Sequence, residues 1–219
     1  MKYSKRALEI SGSVTLEITA KAKEMKEKGI DVISFGVGEP DFNTPKNIIE
    51  AAVKAMNDGK TKYTSTGGII ELREAICKKL LKDNNLSYMP NQIVVSTGAK
   101  QSLANVLFAL INEGDEVIIA NPYWVTYPEL IKLAGGVPVI CEGELSNDYK
   151  FTKTALESCV SEKTKAIILN SPNNPTGSVY TKDELNIIAE VAKKNDIFII
   201  SDEIYEKLIY EENHESIAS

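Results

Sequence analysis

Four short polar segments of this sequence carry side chains that could do chemistry. Each of the four follows a run of β-branched residues: Thr97–Ser102, Asn121–Trp124, Asn170–Gly177 and Asp202–Tyr205. Free amides at the start of a helix favour a phosphate, and an indole can stack on a planar ring. Asparagine amides and a phenol donate hydrogen bonds, and a carboxylate can hold a protonated nitrogen. If the segments meet, they supply the contacts that a planar, phosphorylated ring needs.

Each segment alone also has a plainer interpretation. A glycine between a strand and a helix, such as Gly98, is more often only part of a turn. Trp124 could equally be an anchor in a core or an interface. The Asn170–Gly177 loop could be an ordinary turn, although it is long and proline-rich for one. Asp202 could cap a helix or pair with a lysine instead of binding a ligand.

The elements between these segments predict the fold. Five apolar runs are typical of parallel strands covered on both faces, namely residues 92–96, 116–120, 137–141, 165–169 and 197–201. Between them lie helical patterns, such as the apolar spacing of Leu103, Val106, Leu107 and Leu110. Two further helices are predicted over Ser13–Lys28 and about Ile69–Lys82. A third, Lys46–Asn57, follows Thr44 as the N-cap and Pro45 as the first helical residue. A fourth begins at the capping box of Thr181 and Glu184.

This order of elements predicts an α/β fold with three αβα layers and a mainly parallel sheet. We assign residues 1–44 to an N-terminal arm and part of a small domain, and residues 45–219 to an incomplete large domain. Because ligands bind beyond the carboxyl ends of parallel strands, the four segments should converge there. A phosphate cradle, an aromatic plane, amide donors and a carboxylate with a phenol are together what pyridoxal phosphate requires.

Composition excludes several other classes of protein. The 219 residues carry a net charge of −6, which argues against a sequence-independent nucleic-acid binder. Three dispersed cysteines and the single His214 make a metal site improbable, and the cysteines are predicted to be small buried residues in a reducing compartment. The N-terminus has no apolar signal-peptide core, and no apolar run is long enough to span a membrane. We therefore expect a cytoplasmic protein.

Seven motifs give the sequence a resemblance that covers nearly the whole chain. The motifs are Gly38–Phe42, Tyr63–Gly68, Leu72–Ala75, Thr97–Gln101, Asn121–Trp124, Asn170–Gly177 and Ser201–Tyr205. The sequence resembles the N-terminal portion of a class I, fold type I, pyridoxal phosphate-dependent aminotransferase, close to the aspartate aminotransferase-like subgroup of bacteria. The resemblance implies transfer of an amino group from an L-amino acid, aspartate-like, to a 2-oxo acid.

The resemblance also implies the roles of individual residues in holding the cofactor. The backbone N–H groups of Ala99 and Lys100 would bind the phosphate, and Trp124 would stack on the ring. Asn174 and Tyr205 would contact the ring 3-oxygen. The Asp202 carboxylate would pair with the pyridine nitrogen.

Further implied roles concern the substrate and a second subunit. Tyr63 would reach the phosphate bound by the neighbouring subunit, which implies a homodimer. Gly38 would line the substrate pocket, and Trp124 and Asn174 would also contact the substrate.

For two residues that such enzymes need, this sequence offers no matching position. The family's Schiff-base lysine follows a further strand, whereas the one lysine here after Asp202 is Lys207, directly behind the Asp202–Tyr205 motif. Neither Arg6 nor Arg73 suits the arginine that clamps the substrate carboxylate. We therefore expect a fragment without a catalytic residue, inactive by itself.

Two alternatives stay open at this level. A pyridoxal phosphate-dependent lyase that cleaves a C–S or other β- or γ-bond shares these N-terminal motifs. A non-catalytic remnant that binds pyridoxal phosphate would need no lysine at all. A nucleotide-binding Rossmann protein is least favoured, because no G-x-G-x-x-G follows a strand.

Overall fold

The computed structural model describes residues 3–12, 14–36, 38, 42–211 and 213–219, without the side chains of residues 6, 9 and 14. It divides into two compact units. One unit takes in the described residues up to Ser11 together with Thr66–Ser219, and the other takes in the described residues between Gly12 and Ser65. The predicted boundary at residue 44 stays a prediction.

The smaller unit holds two helices, α2 (Val14–Glu27) and α3 (Lys46–Asn57). Both were predicted, and the bounds of α3 agree with the prediction. The predicted cap was wrong, since the N-cap residue of α3 is Pro45 and no side chain caps the helix. Ser13 and most of the predicted turn at 36–41 lie outside the described residues.

The larger unit holds a parallel sheet between helices. Its strands are β1 (Glu116–Asn121), β2 (Val137–Glu142), β3 (Thr164–Asn170) and β4 (Phe198–Asp202). Its helices are α1 (Lys5–Glu9), α4 (Ile70–Asn84), α5 (Ala99–Leu110), α6 (Thr126–Leu133), α7 (Lys153–Cys159) and α8 (Lys182–Lys194). The strand order is β2-β1-β3-β4, and every neighbouring pair is parallel.

Both faces of the sheet are buried, which confirms the predicted three layers. Ile118 and Ile167 pack on one face with α7 and α8, whereas Val117 and Ile168 pack on the other with α5 and α6. Successive side chains of a strand point to opposite faces, so a strand between two helical layers must be apolar at every position. The capping box of Thr181 and Glu184 forms as predicted and begins α8.

One predicted strand was wrong. Residues 92–96 contain no strand, and a short 3₁₀ turn at Pro90–Gln92 leads into irregular backbone. A strand needs a ladder of partners. Here the Val95 N–H donates to the Gly67 carbonyl, whereas the N–H groups of Gln92 and Ile93 donate within the adjoining turn. Val94 is exposed. Within the described residues, then, the sheet begins at β1.

The cysteines differ in burial, and this predicts their reactivity. Cys141 is buried on β2, while Cys77 and Cys159 are half-buried. Burial, and then the neighbouring Cys159 thiol, raise the pKa of Cys141 to about 12. Because the thiolate is the nucleophile, iodoacetamide at pH 8 should label Cys77 and Cys159 before Cys141 in the folded protein. Peptide mass spectrometry measures the three rates, and equal rates before denaturation would contradict the buried position.

None of the helices among the described residues is long and apolar enough to cross a membrane.

Candidate functional site

Parallel pairing brings the carboxyl ends of the strands to one edge of the sheet, where the predicted segments meet. A cavity of about 150 Å³ opens there. Its lining comes from the first turn of α5, the β1–α6 loop, α6, the ends of β3 and β4, and the segments that follow these two strands. The lining residues are Ala99, Trp124, Tyr127, Asn170, Asn174, Asp202, Ile204 and Tyr205. Five of the seven residues predicted to bind the cofactor therefore line one cavity.

The carboxylate of Asp202 is a buried charged group in the lining of this cavity. Asp202 ends β4 and is only 8% exposed. Its Oδ2 accepts a hydrogen bond of 2.7 Å from the Tyr127 hydroxyl, and its Oδ1 accepts one of 3.3 Å from the Ile204 N–H. Among the ion pairs of the described residues none includes Asp202. A buried carboxylate held only by neutral donors favours a ligand that brings a charged N–H.

Asn170 joins the neighbouring strand to this carboxylate. It ends β3, and its Nδ2 donates to the backbone carbonyl of Asp202 at 2.9 Å. Its Oδ1 accepts from the Asn174 N–H at 2.7 Å. One buried amide therefore holds the end of β4 and the start of the asparagine-rich loop, so the positions of Asp202 and Asn174 are coupled.

The first turn of α5 provides backbone donors at the same cavity. Gly98 precedes the helix with φ +83°, a conformation that favours glycine, and no side chain caps the helix there. Within the described residues no acceptor faces the N–H groups of Ala99 and Lys100. The N-terminus of a helix carries partial positive charge, so these groups suit an anion.

Trp124 lines the same cavity as Asp202 and Ala99. Its ring meets that of Tyr127 edge-on, with the centroids 5.4 Å apart. The Lys100 ammonium lies 5.0 Å from the ring centroid, a cation–π distance. The indole is therefore held from two sides and presents a planar surface within the cavity.

Two other predicted residues belong to the smaller unit. The side chain of Tyr63 is fully exposed there, and an added Cβ on Gly38 would meet nothing within 4 Å. Their roles toward phosphate and substrate stay predictions. Glu39, Pro40 and Asp41 of the motif around Gly38 lie outside the described residues.

The sequence analysis missed Tyr127 as a site residue. It lies in α6, three residues after Trp124, and is 2% exposed. Burial, and then the Asp202 carboxylate, raise the pKa of the Tyr127 hydroxyl far above its usual value. The one sequence signal was an aromatic residue that lies one helical turn after a loop tryptophan. That signal does not distinguish a site residue from an ordinary core residue.

We expect Tyr127→Phe to destabilise the protein at neutral pH. The substitution removes the hydroxyl that donates to Asp202 Oδ2 and leaves this oxygen buried without that hydrogen bond. The free energy of unfolding should fall by about 1–3 kcal/mol. Because the folded pKa of Tyr127 lies above the unfolded value, its contribution is complete below about pH 10 and is lost as the pH rises further. Urea unfolding measures the free energy, with the exposed Tyr210→Phe as control. Equal stability of the two variants would contradict this role for the hydroxyl.

The residues of the cavity fit pyridoxal phosphate. The buried Asp202 lacks a cationic partner among the described residues, and the amides of Ala99 and Lys100 lack acceptors there. Trp124 lines the same cavity. An acidic pole, an aromatic plane and an anion-binding pole match a protonated pyridine ring that carries a phosphate.

Known proteins similar to this chain are aminotransferases. The chain is 56% identical over 214 residues to an aspartate aminotransferase of Bacillus sp. strain YM-2, covering 97% of this chain and 55% of that one. It is 54% identical over its whole length to the aspartate aminotransferase of Bacillus subtilis, of which it covers 56%. The solved aspartate aminotransferase of Thermus thermophilus with maleate superimposes with a TM-score of 0.96 at 42% identity, over 99% of this chain and 57% of that one.

These matches show the family and the extent of the likeness. The chain spans a little more than half the length of the curated relatives that it matches. The family model described as aminotransferase class I and II matches residues 30–218. The chain therefore belongs to the class I and II aminotransferase family.

Proposed function

We propose that this chain supplies the cofactor-binding part of an aspartate aminotransferase-like enzyme. The reaction would move an amino group from an L-amino acid to a 2-oxo acid. The observation that carries the proposal is the buried Asp202 carboxylate, which faces the cavity with the tyrosine hydroxyl and a backbone N–H as its donors and no cation among the described residues. Aspartate as the substrate rests on the names of the relatives.

Each group of residues in the cavity has a role in the proposed function. Pyridoxal phosphate, when bound, supplies an electron sink for negative charge at the substrate Cα. Asp202 keeps the ring nitrogen protonated, because a buried carboxylate stabilises a neighbouring positive charge. The N–H groups of Ala99 and Lys100 bind the phosphate, and Trp124 covers a ring face. Asn174 and Tyr205 donate to the ring 3-oxygen.

Lys207 is not placed to act as an amine nucleophile. Its Nζ pairs with Asp83 Oδ2 at 2.9 Å, on the surface. The hydrogen bond that Lys207 donates to the Asp83 carboxylate raises the pKa of Lys207, whereas a nucleophilic lysine needs a lowered one. We therefore propose that the 219-residue chain by itself binds the cofactor without a covalent bond and does not transaminate. The homodimer and a cytoplasmic location stay predictions.

A titration with pyridoxal phosphate tests the binding proposal. Trp124 is the only tryptophan of the chain, so quenching of its fluorescence reports a ligand stacked in the cavity. We expect saturable quenching by pyridoxal phosphate and weaker binding of pyridoxal, which lacks the anion. Absence of saturable quenching would overturn the proposal for this chain. Borohydride reduction and peptide mapping should find no single labelled lysine; a specific adduct would contradict the non-covalent mode.

The alternatives find less support. The relatives described above are aminotransferases by name, which does not favour a lyase that cleaves a C–S or other β- or γ-bond. A non-catalytic remnant is likewise not favoured by 53–56% identity to these enzymes.

A further inference from the structure

Glu203 follows Asp202 directly, and its carboxylate is held by three side chains. Oε1 accepts from the hydroxyls of Ser201 and Ser216, both at 2.8 Å. Oε2 lies 2.8 Å from Nε2 of His214. The His214 side chain is 9% exposed and that of Glu203 is 21% exposed. Three partners for one carboxylate restrict its rotation far more than a single surface ion pair does.

These contacts join two separate pieces of chain. Ser201 belongs to β4, while His214 and Ser216 belong to the segment 213–219. Ile217 of that segment packs on the core beneath the sheet. Glu203 therefore ties the end of β4 to a segment that is itself anchored in the core.

Glu203 also begins the turn that carries two residues of the cavity. Its carbonyl accepts from the Glu206 N–H at 3.0 Å, and the Tyr205 carbonyl accepts from the Leu208 N–H at 2.8 Å. Asp202 lies on one side of Glu203 and Tyr205 two residues beyond it, and both line the cavity. The side chain of Glu203 does not line it.

Resting on the proposed function, we propose that Glu203 is a positioning residue. Its anchored carboxylate holds the turn in the orientation that presents Asp202 and Tyr205 to the cofactor. Glu203 touches neither cofactor nor substrate in this role and acts through the turn alone.

The donor and the acceptor in the contact between His214 and Glu203 can be assigned, which makes the proposal testable. Nδ1 of His214 is buried and has no hydrogen-bond partner among the described residues. We therefore assign the proton of the neutral ring to Nε2, which donates to Glu203. A protonated ring keeps that donor, so the wild-type contact survives at low pH.

In the variant Glu203→Gln, the contact with His214 should depend on pH. The glutamine oxygen can still accept from both serines, but its NH₂ group then faces His214. A neutral imidazole can accept from that group through Nε2, whereas a protonated one cannot. The defect should therefore be larger at pH 5.5 than at pH 8.

A second carboxylate lies beside this contact. Glu206 offers a carboxylate oxygen within 4.8 Å of the Glu203 and His214 ligand atoms and pairs with Lys79. Burial alone would raise the pKa of Glu206, but hydrogen bonds from Lys79 and Asn84 hold it below its ordinary value. The Glu206 carboxylate therefore keeps its charge between pH 5.5 and pH 8.

The first measurement is amide hydrogen exchange without the cofactor. In Glu203→Gln, exchange should accelerate ~10-fold or more in residues 201–208 and 213–219, because the bonds that order them weaken. Exchange in α5 should stay unchanged. Ser216→Ala removes one donor only and should give a smaller change in the same two segments, which keeps the test available if Glu203→Gln does not fold. Unchanged exchange in both segments, or acceleration spread over the whole sheet, would overturn the proposal.

The second measurement is the affinity for pyridoxal phosphate at pH 8 and pH 5.5, expressed relative to wild type. For Glu203→Gln we expect a loss of ~3–10-fold at pH 8 and a further ~10-fold at pH 5.5, the scale of one or two hydrogen bonds. Adding His214→Asn should remove the pH dependence. Glu190→Gln, an exposed glutamate on α8 paired with Lys153, is the control.

The outcomes separate the two claims. If wild type does not bind pyridoxal phosphate, the proposed function fails for this chain, and hydrogen exchange alone decides the role of Glu203. If wild type binds and Glu203→Gln binds equally well at both pH values, the positioning role is wrong while the proposed function stands.

Discussion

Asp202→Asn should weaken binding of pyridoxal phosphate by ~10–100-fold, the scale of a charge-assisted hydrogen bond. The amide keeps the shape of the carboxylate but lacks the charge that holds a proton on the ring nitrogen. Its oxygen can still accept the 2.7 Å bond from the Tyr127 hydroxyl, and only the longer 3.3 Å bond from the Ile204 N–H is lost. The local structure should therefore persist. Quenching of Trp124 fluorescence measures the affinity.

The same variant should not destabilise the protein without cofactor. Asp202 is buried without a cationic partner among the described residues, and such a charge is costly to desolvate. The free energy of unfolding should therefore stay the same or rise, while affinity falls. Asp196→Asn is the matched control, because Asp196 is exposed at φ 54°, which asparagine tolerates. Parallel loss of stability and affinity would show that Asp202 is structural only.

Ala99→Pro should lower the affinity for pyridoxal phosphate by ~10–100-fold as well, by removing one backbone N–H that would bind the phosphate. Proline is tolerated at the first position of a helix, where the N–H has no partner within the helix. Ala99 occupies that position in α5, and the preceding Gly98 has ψ 163°, which is compatible with a following proline. The substitution thus removes a donor and leaves the helix in place.

Two comparisons make this test specific. Pyridoxal carries no phosphate, so its affinity should be the same in Ala99→Pro and in wild type. Lys182→Pro alters the same first position in α8, behind the N-cap Thr181, and should change neither affinity. An equal loss for pyridoxal and pyridoxal phosphate would mean that the variant distorts the cavity, and that α5 does not bind the anion.

The sequence predicted elements well where one local pattern was sufficient. The capping box of Thr181 and Glu184 marks the start of α8, because both groups lie within one turn of backbone. The central residues of β1 and β3, 117–120 and 166–169, are all apolar, and that pattern indicated burial on both faces.

Predictions were less accurate where the local structure depends on residues that are distant in the sequence. Residues 92–96 have strand-like composition, but a strand forms only when another backbone pairs with it. In the described residues the Val95 N–H donates to the Gly67 carbonyl, and no strand forms in this run. Local propensity carries no information about that partner.

The sequence by itself determined the family, the layered fold and which loops would carry polar groups, since these follow from motifs and periodicity. Only the tertiary structure decided that the Tyr127 hydroxyl meets Asp202 and that Ser216 and His214 hold Glu203. These pairs are separated by 75, 13 and 11 residues along the chain. A hydrogen bond depends on distance and angle between side chains, and packing of the sheet and its helices sets both.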